Sequence, residues 1–158
     1  MDGETGARIA RLAESEWRTF AVVRLRALTD SLGVDDPQYR QEAAFTVAQW
    51  RRRLREHAQF VALIGEQPVG LIGAQQESTR RVYLYSLWLD PGARGHGLAR
   101  ALVEAAVDWA RLRKAETVTL RVAADNAAAR NVYESLGFAV TLAERGVPPD
   151  ELAMSLSV

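Results

Sequence analysis

The run Arg94-Gly95-His96-Gly97-Leu98-Ala99 constrains this chain more than any other stretch. It follows an apolar run, Val82 to Leu89, that reads as a strand, and it opens Leu98 to Leu112, which reads as a helix. The turn between them carries Pro91, Gly92, Gly95 and Gly97. A strand that enters a helix through such a turn leaves the first helical amides without intrahelical acceptors, and the helix dipole favours an anion there. Gly95 and Gly97 let a ligand come close to the backbone. Arg94 adds a fixed charge suited to bidentate pairing with phosphate. The segment reads as a pyrophosphate cradle.

Two common nucleotide loops do not match it. A Rossmann turn needs a third glycine and an acidic residue at the end of the next strand. Arg100 takes the first of these positions, and the next strand, Thr117 to Val122, runs into Ala123-Ala124. A P-loop needs Gly-Lys followed by Ser or Thr. The chain's only lysine is Lys114, far along the helix.

The segment resembles the Arg/Gln-x-x-Gly-x-Gly/Ala signature of the GNAT superfamily of N-acetyltransferases. Arg94, Gly97 and Ala99 fill it, with Pro91 ahead and Leu102 behind. A second block, Asn126, Ala129, Tyr133 and Gly137-Phe138, is similar to the Asn-x-x-Ala-x-x-x-Tyr-x-x-x-Gly-Phe run of the same superfamily. The two blocks stand in the family's order and at a typical separation. The resemblance implies a GNAT fold, a central, mostly antiparallel, splayed sheet flanked by helices. It implies acetyl-CoA as cosubstrate, with its pyrophosphate on the amides of Arg94, Gly95, His96, Gly97, Leu98 and Ala99. It places the acetyl group beside Leu87-Trp88-Leu89, where a backbone N–H polarises the thioester carbonyl. It puts Tyr133 near the CoA sulfur as general acid, and Asn126 at the pantetheine arm or the strand ends. On pattern alone Tyr133 also reads as a core residue beside Phe138, Asn126 as a helix-start residue, and His96 as a solvated loop residue.

Composition narrows the alternatives. With 20 acidic and 20 basic residues, no net charge drives binding to nucleic acid or a membrane surface. The chain has no cysteine, which excludes disulfides, thiolate metal sites and a thiol acyl-enzyme. His57 and His96 are too few for a histidine-rich metal site, so no metal is expected. No segment approaches the roughly 20 apolar residues of a membrane span, and the polar N-terminus is unlike a signal peptide. The expectation is one cytoplasmic domain over residues 1–158, with 1–6 disordered. A homodimer is left open.

Strand and helix signals run in the order β-α-α-β-β-β-α-β-α-β-β, an α/β (α+β) mixed sheet with helices on both faces. Ala7 to Leu12 reads as a strand and Glu16 to Thr29 as a helix. A helical stretch runs from Pro37, capped by Asp35 or Asp36, to about Glu56, broken near Phe45-Thr46. Phe60 to Ile64 and Val69 to Gln75 read as a hairpin in which Gly70 and Gly73 mark bulges. The helix from Leu98 carries a stripe of Leu102, Ala105, Ala106, Trp109 and Leu112. A helix from Asn126 to Leu136 is capped by Asp125, with Gly137 at its C′ position. Phe138 to Leu142 and Leu152 to Leu156 form the last strands.

Many GNAT members carry a glutamate on the strand before the phosphate turn. Here that region offers Tyr83, Tyr85 and Ser86, and alternation puts residues 83, 85, 87 and 89 on one face. Glu77, Tyr83, Tyr85, water and an amine arriving neutral all stay open as the base. His57 and Arg51-Arg52-Arg53 read as surface. Asp35, Asp36 and Glu42 lie in the helical region that covers the acceptor side in the family. The expected function is transfer of acetyl from acetyl-CoA to a primary amine of a small molecule, directly in a ternary complex. Acetylation of a protein amine and a CoA-binding module without turnover are the alternatives.

Overall fold

A computed structural model describes residues 6–142 and 144–158, so most of the segment expected to be disordered, residues 1–5, lies outside the described residues. Gly6 is described, and its carbonyl accepts a 3.1 Å hydrogen bond from the Gly65 amide. The strands are β1 (Ala7–Arg11), β2 (Ala58–Ile64), β3 (Gln67–Gln76), β4 (Arg81–Leu89), β5 (Thr117–Ala123), β6 (Ala139–Val140) and β7 (Glu151–Ser157). The helices are α1 (Trp17–Ser31), α2 (Pro37–Ala43), α3 (Val47–Glu56), α4 (Leu98–Leu112) and α5 (Ala127–Ser135). The sheet order is β1-β2-β3-β4-β5-β7-β6, and every neighbouring pair is antiparallel except β4 with β5.

Alternation along the strands builds two cores, because successive side chains leave opposite faces. Phe60, Ala62, Ile72, Val82, Leu84, Val118 and Leu120 pack under α4 and α5. Val61, Leu63, Leu71 and Trp88 pack under α1 and α3, against Phe20, Val23, Trp50 and Leu54. The buried stripe of α4 is Leu98, Leu102, Val103, Ala106, Val107 and Ala110. That is rotated from the expected stripe: Leu112 is 82% exposed. Trp109 is only half-buried and lies between the guanidinium groups of Arg11 and Arg113.

Local chemistry sets the helix ends. Asp36 caps α2, its carboxylate accepting from the Gln38 amide at 2.8 Å. The expected break near Phe45-Thr46 is a capping box, in which Thr46 accepts from the Gln49 amide and Gln49 accepts in turn from the Thr46 amide. Asn126, not Asp125, caps α5, accepting from the Ala129 amide at 3.1 Å. Gly137, at φ 99°, closes α5: its amide donates to Glu134 O and that of Phe138 to Tyr133 O, a Schellman end. The chain straightens only over Ala139–Val140 afterwards, so the strand expected to reach Leu142 is cut short.

Gly73 has a packing role. A Cβ there would lie 2.5 Å from the Tyr85 ring, which crosses β3 at this point. The register of β3 against β4 shifts between Leu71 and Gly73, and the extra residue belongs to β4. Among the described residues, no helix is long and apolar enough to cross a membrane.

Candidate active site

β4 and β5 pair only at Arg81–Thr117, Val82–Val118 and Tyr83–Thr119. Beyond that step they part, while β5 stays paired to β7 along its length. The β4 edge from Leu84 onward is therefore left with peptide groups that no neighbouring strand takes up, a costly state unless a ligand or water serves them. A cavity of about 250 Å³ fills the gap, between Leu84, Ser86 and Leu87 on one side and Leu120 and Val122 on the other. Asn126, Ala129 and Tyr133 of α5 complete its wall. A larger hollow of about 340 Å³ beside α4, lined by Asp108, Arg111 and Leu136, has neither a parted strand nor a glycine turn.

The parting coincides with a bulge in β4. Ser86 has φ 61°, left-handed backbone that a non-glycine residue adopts only when its surroundings hold it there. The extra residue bends the strand and re-aims the side chains beyond it. Before the bulge Val82 and Leu84 face α4; after it Leu89 does, and Trp88 faces α1. The expectation that residues 83, 85, 87 and 89 share one face is therefore overturned, because the bulge shifts the alternation by one.

A buried ion pair holds the bulge. The Arg24 Nη1 donates to Ser86 Oγ at 2.8 Å, while its Nε and Nη2 donate to the two Glu42 oxygens at 2.9 and 3.1 Å. The two charged side chains are 7% and 5% exposed. Gln38 also donates to Glu42, and Arg53 lies 3.9 Å from it. Burial pushes the Glu42 carboxyl up, but the bonds and charge of Arg24, with Gln38 and Arg53, outweigh it and the net direction is down. Glu42 is thus consumed inside the fold and does not face an acceptor. The signal for this in the sequence is Arg24 itself, a base within the apolar stripe Phe20, Val23, Ala27 of α1.

The glycine turn takes the form a phosphate cradle requires. Gly95 and Gly97 have φ of 85° and 80°, and Gly97 is the N-cap of α4. Among the described residues, the amides of Gly95, His96 and Gly97 donate to no backbone carbonyl. Residues 94–97 are exposed, whereas Leu98 is buried under the sheet and Ala99 half-buried. Arg94 has partners within the fold. Its Nε donates to Leu89 O at 3.0 Å and its Nη2 to Asp30 at 3.1 Å, so its guanidinium ties the turn to β4 and α1. Asp30 also accepts from Trp88 Nε1 at 2.9 Å, and Arg26 bonds Asp90 and Pro68 O.

Tyr133 is buried at the wall of the gap, edge-on to Phe138, and has no hydrogen-bond partner among the described residues. Burial above all, and then the neighbouring Tyr83, push its phenol up to about 12. It therefore carries its proton throughout the physiological range. Asn126 spends its Oδ1 on the α5 cap, which leaves the carboxamide nitrogen beside the gap.

Of the remaining candidates, Tyr85 also borders this cavity, and Glu77 and Tyr83 line a neighbouring hollow. Tyr85 points across β3, accepts from Gln59 at 2.7 Å and meets His57 Nδ1. The His57 tautomer sets which of Nδ1 and the Tyr85 hydroxyl donates to the other. Burial, and then the charge of Arg53, lower the His57 pKa. His57 is thus half-buried and engaged, not a free surface residue. Tyr83 stacks on Tyr85, and Glu77 lies 3.3 Å from Arg81. The Arg51-Arg52-Arg53 run is paired rather than bare: Arg51 with Glu14, Arg52 with Glu56, and Arg53 over Phe45.

The family model described as "Acetyltransferase (GNAT) family" matches residues 12–138, and the chain belongs to that family. A mycothiol acetyltransferase from Beutenbergia cavernae is 45% identical over 67 residues, 41% of this chain and 23% of that one. The [ribosomal protein bS18]-alanine N-acetyltransferase of Escherichia coli is 37% identical over 81 residues, 48% of this chain and 55% of that one. The chain thus spans a quarter to about half of these relatives. An acetyltransferase from Streptococcus agalactiae shares the fold at TM-score 0.75 and 21% identity, over 98% of this chain and 99% of that one. PaiA N-acetyltransferase from Thermoplasma acidophilum, solved in complex with coenzyme A, does so at TM-score 0.74 and 14% identity, over 96% and 99%.

The ion pair under the bulge gives a direct stability test. Arg24→Met leaves Glu42 buried without its partner and should cost about 3–5 kcal/mol in urea unfolding. Arg24→Met with Glu42→Leu should recover most of that. Since the folded-state pKa of Glu42 is lowered, the stability it supplies is complete above the usual carboxylate range and is lost as pH falls through the lowered value. The gap between wild type and Arg24→Met should close in that acid window. A loss below about 1 kcal/mol at neutral pH would show that the pair does not hold the fold.

Proposed function

We propose that this chain is an N-acetyltransferase that moves an acetyl group from acetyl-CoA to a primary amine, directly, in a ternary complex. The observation that carries the reading is the parted β4–β5 gap, which has the exposed amide turn beyond the end of β4 and the protonated phenol of Tyr133 in its wall. The reading treats the chain as one catalytic domain working in the cytoplasm. Its acceptor is a small-molecule amine, in keeping with the modest volume of the gap. Protein amines are the second option, since relatives named for ribosomal-protein and N-alpha acetylation match about half of the chain.

Acetyl-CoA supplies an acetyl group activated as a thioester. The chain's residues do the rest. The amides of Gly95 to Ala99, at the positive end of α4, take the pyrophosphate charge, and Arg94 positions the turn from behind. The free edge of β4 offers peptide groups to the amides of the pantetheine arm, with the Asn126 carboxamide opposite. The amide in the Leu87-Trp88-Leu89 stretch, aimed by the Ser86 bulge, donates to the carbonyl oxygen as charge gathers on it. The amine nitrogen bonds to the acetyl carbon as the carbon–sulfur bond breaks. Tyr133 gives its proton to the departing sulfur, and the proton shed by the amine passes to solvent or a base.

Two variants separate the parts. A Cβ at Gly97 meets nothing within 4 Å, and aspartate tolerates left-handed backbone better than most residues, so Gly97→Asp should fold. Its carboxylate would sit where the pyrophosphate binds, and calorimetry should find acetyl-CoA affinity abolished. Unchanged affinity in the folded variant would remove the cradle. Tyr133→Phe keeps the ring and removes only the proton donor. Acetyl-CoA affinity should hold while kcat falls by about 10²-fold or more. Turnover equal to the parent's would mean that the acid is another group.

A further inference from the structure

On the face of the sheet opposite α5, a second cavity of about 230 Å³ lies over the last paired step of β4 and β5. Tyr83, Thr119, Arg121, Gln75, Glu77 and Glu144 line it, and it shares Leu120 and Arg121 with the first cavity. The two hollows therefore meet across the gap, one on each face. α1 and α3 cover this face farther along, over β3 and β2.

The polar groups here are incompletely used. Thr119 is 5% exposed, and its hydroxyl oxygen has no hydrogen-bond partner among the described residues. Buried hydroxyls are ordinarily bonded, so this one calls for a ligand or water. Arg81 bonds Glu144 and lies 3.3 Å from Glu77, but its Nε is not aligned for a hydrogen bond. One guanidinium thus serves two carboxylates, and Arg121 is the second cation at the cavity. Arg121 is exposed at the edge of the gap, and no described carboxylate pairs with it. Arg121 is also near enough for its charge to act on Glu144.

We infer that this cavity selects an amino acid as the acceptor, with its carboxylate paired to Arg121, its amine in the gap, and a polar or cationic side chain reaching Thr119 and the Glu77–Glu144 pair. The inference rests on the acetyltransferase reading above and names its substrate class. An α-amino acid holds amine and carboxylate on one carbon, so anchoring the carboxylate on Arg121, which borders both cavities, delivers the amine to the gap. Planar guanidinium and carboxylate groups match in a bidentate pair. A simple amine leaves Arg121 unpaired, and the N-terminus of a protein brings no free carboxylate to the spot.

Matched acceptors test this, with release of CoA thiol from acetyl-CoA as the readout. Free arginine and glutamine should exceed their carboxamides in kcat/KM by roughly tenfold or more, the scale of a charge-assisted hydrogen bond. They should also exceed leucine and norleucine. In Arg121→Gln the acid-to-carboxamide ratio should fall towards one. Equal use of acid and carboxamide, a preference that survives Arg121→Gln, or a lead for leucine and norleucine would overturn the inference. Calorimetry with acetyl-CoA runs beside it. Binding without transfer to any amino acid, or transfer only to simple amines, overturns the acceptor assignment and leaves the cofactor site standing. No binding of acetyl-CoA overturns the reading on which both depend.

Discussion

The separation of β4 from β5 after Tyr83 and Thr119 is the constraint on which the rest of the molecule turns. A sheet gains by pairing every edge, and an unpaired inner edge sacrifices those hydrogen bonds. The parting persists because the chain bends β4 at Ser86 and fixes the bend with Arg24 and Glu42. A buried ion pair is a poor source of net stability, since desolvating two charges costs several kcal/mol per ion. Its geometry is specific, however. The Arg24 fork meets both Glu42 oxygens and still reaches Ser86, which holds α1, α2 and the bulge in one arrangement.

A similar division of labour governs the glycine turn. Gly95 and Gly97 take left-handed backbone, and among the described residues the amides of Gly95, His96 and Gly97 have no backbone partner. The charged side chains around it are engaged behind it: Arg94 with Asp30 and Leu89 O, and Arg26 with Asp90. What faces outward is backbone, which suits a ligand recognised by a phosphate group. On the other side of the gap, Arg121 and the Glu77–Glu144 pair carry charges that are not matched one to one. That division assigns the two faces of one sheet to two different ligands in the proposed ternary complex.

Much of this architecture is legible in the sequence. The succession of strands and helices along the chain, the hairpin, the break between α2 and α3 and the turn into α4 all derive from periodicity and from capping or glycine residues, whose effects are local. The family derives from two motifs at fixed spacing, and the match over residues 12–138 agrees. What escapes is non-local. Nothing near Ser86 marks it as a left-handed residue, since the restraint comes from Arg24, 62 positions away. The partners of Arg94 and the engagement of His57 with Tyr85 depend in the same way on where distant elements pack. The cap of α5 falls to Asn126 instead of Asp125 because two adjacent residues with similar capping ability compete, and the chain path settles the choice.

Amide hydrogen exchange with and without acetyl-CoA tests the central claim most directly, because it reads the parted strand and the turn in one experiment. Acetyl-CoA should slow exchange together at Gly95 to Arg100 and along the free β4 edge from Leu84 to Leu89, while β1 and β2 stay unchanged. Protection of the turn with no change on the β4 edge, or protection of neither, would contradict the proposal that the parted strands exist to hold the cosubstrate.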